Sequence, residues 1–374
     1  MIYIHVPFCH RKCTYCAFYS KPVLETRGVS PAVERYVDAL LAEMEQRKGE
    51  QAHPIKTVYF GGGTPSILPL AQLARIVEGL HRCFDMSRLE EMTLEANPED
   101  LTPDHLAALR HLGFDRLSIG IQSLDDRVLR LLNRRHTAAQ ALDAVENAHR
   151  AGFHNISVDF IYGIVPMGTI APIAPIAPIV THISAYALTV EPGTALARQI
   201  EQGRVSLPDD DEVVRQYHAL HRQLEAAGFR QYEVSNYARP GFESKHNSRY
   251  WDRTPYLGLG PGAHSFTLSD GGSTSVARGG KRRWNNPDGT WSEETLTEAD
   301  AYNELLMTSL RTVRGLDLSL VPEGQKERLH RQMQPYIDCG WIELSTFRFP
   351  LSTFYRPTPE GLLHADGMAA ALFI

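Results

Sequence analysis

Ile2-Tyr-Ile-His-Val-Pro-Phe-Cys9-His-Arg-Lys-Cys13-Thr-Tyr-Cys16 opens the chain with an apolar run that passes straight into three cysteines. Ile2–Val6 predicts a strand, so the cysteines fall where a strand ends and a loop begins. Further strands are predicted at Thr57–Phe60, Met92–Glu95, Arg116–Ile121, Ile156–Ile161, His182–Thr189 and Gln231–Ser235. Amphipathic stretches separate them. Val33, Tyr36, Val37, Leu40, Leu41 and Met44 keep one face of a helix. Thr102-Pro103 opens another helix that Gly113 closes, and Thr137 and Gly152 bracket the next as N-cap and C′ residues. Strand–helix alternation of this kind argues for a parallel sheet with right-handed crossovers. About six such units predict an α/β fold, a partial (β/α)6 barrel of the TIM type, with its chemistry at the C-terminal strand ends.

From about residue 240 the pattern changes. Gly, Asn, Ser and Arg dominate Arg239–Asn286, including Gly271-Gly-Ser-Thr and Gly279-Gly-Lys-Arg-Arg, which predicts long loops. Helices are expected over Thr297–Arg311 and Gly324–Cys339. The expected division is thus a barrel over residues 1–238, a loop-rich segment over 239–292, and a smaller, mainly helical C-terminal domain over 293–374. One run stands apart. Pro172, Pro175 and Pro178 recur every third residue in an Ala-Pro-Ile repeat where a crossover helix belongs. That spacing forbids a helix and favours polyproline II.

The 374 residues carry a formal net charge of −6, with 43% hydrophobic and 22% charged residues, as in ordinary globular proteins. No strongly basic face is implied, which argues against a nucleic-acid partner. No apolar run approaches the ~20 residues of a membrane span, which leaves peripheral membrane contact open. The start lacks a basic segment followed by a long apolar one, so a cytoplasmic location is expected. Five cysteines, three of them clustered, do not suit a disulfide framework. Cys83 and Cys339 read as plain buried thiols.

Cys9, Cys13 and Cys16 in so short a loop can ligate three corners of a cubane 4Fe–4S cluster. The fourth iron then lacks a protein ligand, as an open catalytic metal site requires. The alternative is zinc, which needs a fourth ligand that His10 is poorly placed to supply. Gly61-Gly-Gly-Thr-Pro-Ser66 follows the Thr57–Phe60 strand, and successive glycines let backbone approach a ligand with amides free to bond it. A tight βα turn is the bland alternative. Glu95, Gln122 and Asp159 then recur at the mouths of successive strands, where a carboxylate suits ribose hydroxyls.

Together these segments resemble the coproporphyrinogen dehydrogenase (HemN) family of radical S-adenosylmethionine (SAM) proteins. The resemblance rests on the CxxxCxxC loop, the Gly61–Ser66 run, Leu94-Glu-Ala-Asn-Pro and Gly120-Ile-Gln-Ser. It extends to the ending Thr358-Pro-Glu-Gly-Leu-Leu-His-Ala-Asp-Gly. It implies a radical SAM barrel in which SAM chelates the open iron. The family's SAM contacts fall on Tyr3, Tyr15, Gly62, Gly63, Thr64, Glu95, Gln122, Arg134 and Asp159.

Two departures set the chain apart from the family's oxidase. The oxidase pattern resembles CxxxCxxCxC, and Phe18 stands here in place of the last Cys; the oxidase's long N-terminal extension also has no counterpart. Both match the HemW branch of heme chaperones. His246-Asn-Ser-Arg-Tyr-Trp251 resembles that branch's HNxxYW signature. His246 would supply an axial ligand to heme iron, Tyr250 and Trp251 flat faces, and Arg249 or Lys245 partners for the propionates. His264, in Tyr256-Leu-Gly-Leu-Gly-Pro-Gly-Ala-His264, is a second candidate ligand. The resemblance thus implies a chaperone with a 4Fe–4S cluster, SAM and heme, which hands heme to an acceptor such as a respiratory hemoprotein. It identifies no electron donor. The competing readings are an oxygen-independent coproporphyrinogen III oxidase of porphyrin biosynthesis and a barrel acting as a protein scaffold.

Overall fold

A computed structural model describes residues 1–23, 30–51, 53–164, 173–268, 280–348 and 351–374. Gly271–Thr274, Gly279 and Pro172 therefore lie outside the described residues. Six parallel strands form the framework: β1 (Ile2–Val6), β2 (Thr57–Gly62), β3 (Glu91–Ala96), β4 (Arg116–Gln122), β5 (Asn155–Tyr162) and β6 (His182–Ala187). Each is apolar enough to be buried on both faces, as a sheet between helices and a lumen must be. Ile2, Ile4, Val58, Phe60, Leu94, Leu117, Ile119 and Val158 are fully buried in one continuous core. The connecting helices are α1 (Pro31–Arg47), α2 (Leu70–Cys83), α3 (Pro103–His111), α4 (Asp126–Leu131) and α5 (Ala138–Arg150). Thr137 and Gln140 form a capping box that starts α5 where its N-cap was predicted.

The strand expected at Gln231–Ser235 is instead two short antiparallel strands, β7 (Arg230–Gln231) and β8 (Asn236–Ala238), on the β6 edge. The residues between them pair elsewhere. Val234 N–H donates to Arg311 O at 2.9 Å and Val313 N–H to Tyr232 O at 3.1 Å, which stitches this turn to the C-terminal helices. Helices α6 (Ala195–Glu201) and α7 (Asp210–Ala226) precede this edge.

The segment expected as long loops holds regular structure. It contains helix α8 (Lys245–Trp251) and β9 (Leu257–Leu259), which pairs in parallel with β1 and extends the barrel sheet at the opposite edge. Strands β10 (His264–Leu268), β11 (Gly280–Asn285) and β12 (Trp291–Thr295) form a separate antiparallel sheet. Leu-Gly-Leu is too short and glycine-rich to announce a strand; pairing with β1 makes it one. Helices α9 (Glu298–Ser309) and α10 (Glu323–Asp338) lie where expected. They pack with β13 (Leu316–Asp317), β14 (Ile342–Arg348), β15 (Leu351–Pro357), α11 (Pro359–Leu363) and α12 (Ala365–Leu372) around Leu306, Leu329, Met333 and Tyr355.

The Ala-Pro-Ile run corrects an expectation. Its described part, 173–180, is a chain of turns rather than polyproline II. Ala177 N–H donates to Ile173 O and Val180 N–H to Ile176 O, so the bonds use the residues between the prolines. Ile173, Ile176, Ala177 and Val180 form a buried stripe at helical spacing, while Ala174, Pro175 and Pro178 face solvent. Burial of that stripe outweighs the missing proline N–H groups.

Candidate functional site

The sheet's C-terminal rim surrounds a cavity of about 470 Å³. Cys9, Cys13, Tyr15, Cys16, Gly62, Gly63, Thr64, Glu95, Gln122, Arg134 and Asp159 all line it. Local chemistry fixes the loop that carries the thiols. Lys21 N–H donates to Pro7 O and Val23 N–H to Cys9 O, closing the loop's base. Thr14 holds its far side: its N–H donates to Leu132 O at 3.1 Å and its hydroxyl to Leu131 O at 3.0 Å. Those are orphan carbonyls at the C-terminus of α4, which a helix end must satisfy somewhere. Leu196 N–H, at the start of α6, donates to Thr14 O.

The same helix end aims Arg134. Asn133 takes φ 59, the left-handed conformation that asparagine tolerates, and Arg134 N–H reaches back to Leu129 O. The guanidinium then donates to Cys13 Sγ at 3.4 Å, Asn97 Oδ1 at 2.6 Å and Gly120 O at 2.5 Å. Thr64 Oγ1–H donates to Cys9 Sγ at 3.5 Å, and Asn97 Nδ2–H donates to Thr64 Oγ1 at 3.4 Å. Asn97 therefore joins the donors on two thiols. Among the described residues no three His, Cys, Asp or Glu side chains converge closely enough to hold one metal ion. A cubane does not require such convergence, because each thiolate binds its own iron. Burial pushes the Cys9 and Cys16 thiols above their usual range.

The glycine run serves close packing rather than free amides, which corrects the sequence expectation. Gly62 N–H donates to Glu95 Oε2 at 3.2 Å, Gly63 N–H to Val6 O at 2.8 Å and Thr64 N–H to Phe8 O at 2.6 Å. Gly62 has φ +107 and a Cβ there would lie 2.5 Å from the His5 ring, while a Cβ at Gly63 would lie 2.4 Å from Phe8 O, so neither position accepts a side chain without moving its neighbour. Glu95 is held by Tyr59 Oη–H at 2.8 Å, and burial lifts its carboxyl to about 7. Asp159 accepts from Ser118 Oγ–H at 3.3 Å and is likewise raised by burial. Gln122 sits at a register irregularity with φ 61, an uncommon conformation for a side-chain-bearing residue. Such strain recurs at ligand sites.

Tyr3 is not among the lining residues. Its hydroxyl meets His5 Nδ1 at 3.1 Å and its ring stacks on Tyr59, one layer behind the cavity. Thr14, Asn97, Tyr59 and Asn133 escaped the sequence reading; only Asn97, two residues after Glu95, carried a local signal.

The HNxxYW residues lie elsewhere. His246 is 0% exposed; Nδ1 meets Thr57 Oγ1 at 2.9 Å and Nε2 meets Tyr250 Oη at 3.0 Å. Thr57 and Glu91 begin β2 and β3, so α8 plugs the barrel at the end opposite the cysteines. The backbone N–H groups of Lys245 and His246 both donate to the Glu91 carboxylate. Burial lowers the imidazole to about 3. Arg311 stacks over the Trp251 ring, and the Lys245 and Arg249 side chains face Glu90 at 3.9 and 3.8 Å. The imidazole expected as an axial ligand to heme iron is thus sealed, and the two cations expected to meet propionates face Glu90 instead.

A signature described as the Radical SAM superfamily matches residues 3–166. The Heme chaperone HemW of Mycobacterium tuberculosis is 36% identical over 346 residues, covering 87% of this chain and 85% of that protein. The chain belongs to the HemW family of radical SAM proteins. HemW of Bacillus subtilis is 36% identical over 281 residues, covering 73% of this chain and 72% of its own. A bovine mitochondrial protein, Radical S-adenosyl methionine domain-containing protein 1, is 36% identical over 334 residues, covering 84% and 74%. Among solved structures, coproporphyrinogen III oxidase (HemN) from Escherichia coli superposes over 100% of this chain and 89% of its own, with TM-score 0.80 and 21% identity. That likeness is one of fold. This chain thus has an α/β radical SAM barrel fold like that of HemN. No helix among the described residues is long and apolar enough to cross a membrane.

Proposed function

We propose that this chain is a cytoplasmic heme chaperone that holds a 4Fe–4S cluster on Cys9, Cys13 and Cys16, binds SAM in the adjoining cavity, and passes heme to an acceptor hemoprotein. The observation that carries the reading is the meeting of three thiols, their two hydrogen-bond donors and paired carboxylates around one cavity in a HemW-family chain. When bound, a cluster with one iron free of protein ligands supplies the coordination site for SAM's amino and carboxylate groups.

The chain's own groups divide the remaining work. Glu95 and Asp159 accept hydrogen bonds from ribose hydroxyls, and Arg134 faces the SAM carboxylate. Tyr15, Gly62, Gly63 and Gln122 wall the pocket. Thr64 and Arg134 donate to cluster sulfurs, an interaction that tunes a cluster's reduction potential. A respiratory hemoprotein is the acceptor we favour.

One anaerobically reconstituted preparation tests all of this. It should give a reduced-cluster EPR signal that Cys13→Ala abolishes, a Soret shift with hemin, and no loss of coproporphyrinogen III. Formation of protoporphyrinogen would identify an oxidase instead. A preparation that took zinc, or no cluster at all, would overturn the reading.

A further inference from the structure

We infer that the imidazole this chain presents to heme iron is His264, on the cluster-bearing rim of the barrel, and that His246 belongs to the plug at the opposite end. The inference rests on the heme-carrying reading above and concerns which residue ligates the iron.

Axial ligation needs a neutral imidazole with a free lone pair and room for a flat macrocycle beside it. His246 has neither. Both its nitrogens are engaged, it is sealed beneath α8, and a heme plane could reach it only by withdrawing that helix from Glu91. His182, also fully buried, is engaged at Nδ1 by Ser157 and at Nε2 by Tyr232.

The cluster-bearing rim offers other imidazoles. His5 is bonded through both nitrogens, to Tyr3 Oη and Tyr19 O. His10 faces Asp100 at 3.5 Å, and His136 is buried between Ile121 O and Glu99. His264 differs from all three. It is exposed, and among the described residues neither ring nitrogen has a hydrogen-bond partner. Partial burial and the nearby Arg282 lower its imidazole below the usual value.

The surroundings suit a porphyrin. The Trp284 ring stacks beside His264 at 6.4 Å, directly across the β10–β11 pair. The turn before His264 passes so close to the cluster loop that a Cβ on Gly262 would lie 3.5 Å from Tyr19 Cδ1. Tyr19 is followed within the same loop by Lys21, whose ammonium lies over the Tyr19 ring. Phe18, the neighbouring residue, is 70% exposed and also lines the cavity. The turn leading into His264 thus packs against the loop segment that carries Phe18, Tyr19 and Lys21, and flat apolar faces with a cation are what a dianionic macrocycle requires. His364 stacks on Trp341 at 3.9 Å, but its nitrogen faces the Glu360 carboxylate, which would repel propionates.

Hemin titration of the reconstituted full chain, read by Soret position, EPR and SAM affinity, tests the assignment. His264→Ala should lose the Soret shift and weaken hemin binding at least about tenfold, with cluster and SAM affinity unchanged. His264→Met should bind hemin with an altered spectrum, because a thioether can replace imidazole on iron. His246→Gln should keep the parent's hemin spectrum and melt at a lower temperature. Parent-like titration of His264→Ala would overturn the assignment, and more so if His246→Gln lost the shift without losing stability. Failure of the parent to bind hemin would overturn the heme-carrying reading itself.

Discussion

Glu95 and Glu233 show what burial does to a single carboxyl. Both are lifted to about 7 by desolvation, against about 4.3 for a glutamate in an unfolded chain. Between those values the folded chain binds more protons than the unfolded one, so each group's contribution to stability falls as pH rises, levelling off above about 7. His246 slopes the other way, because its lowered value makes folding lose stability as pH falls below its ordinary range. The clean measurement is therefore a difference. Glu233→Gln keeps the acceptor for Ser235 N–H and removes the buried charge. It should stabilise the chain by up to about 3 kcal/mol at pH 8 and by only about 1 kcal/mol at pH 5. Equal effects at both pH values in urea titrations would show that the carboxyl is not perturbed. These residues were visible in the sequence, but their burial was not. Glu95 stood out because it ends an apolar strand, whereas Glu233 lay in what reads as an ordinary strand.

At the scale of elements, the strongest signals were those with strict periodicity. Strand β1 matches its expected bounds, and β2 to β5 extend theirs by one or two residues because neighbouring strands keep pairing. In the Ala-Pro-Ile run the core beneath the isoleucines, not proline chemistry, decides the conformation. Ile176 is 1% exposed in that core. Ile176→Ala should cost about 2–4 kcal/mol, while Ala174→Ser, on the exposed side, should stay within about 0.5 kcal/mol. If the two variants had the same unfolding midpoint, the turns would not be seated as described. Helix α8 shows the same effect, since His246 reads as a ligand in a motif yet its side chain folds inward against Thr57 while its backbone N–H donates to Glu91.

Across the whole molecule, the barrel and the C-terminal helices are not independent. The extended residues 232–234 find their partners in 311–313, including the Glu233–Thr312 bridge. Arg253 reaches from the barrel side to Ala301 O and Glu304. Removing residues 297–374 would leave that edge unpaired, a template for association. A chain ending at Leu296 is expected to aggregate or to lose its cooperative melt by circular dichroism. A soluble fragment melting like the barrel of the full chain would contradict this.

What the sequence determined by itself was local and periodic: alternating strands and helices, three thiols after the first strand, and polar residues at successive strand ends. A strand's position along the chain specifies which rim its last residue reaches, so most of the candidate site could be read without coordinates. The tertiary structure alone decided which polar groups are sealed and which are free. His246 and His264 are both single histidines in short motifs, and nothing in their spacing separates them. Thr57, distant in sequence, and Tyr250, one helix turn away, close one imidazole while Glu91 holds its backbone N–H, and a rim strand leaves the other imidazole open.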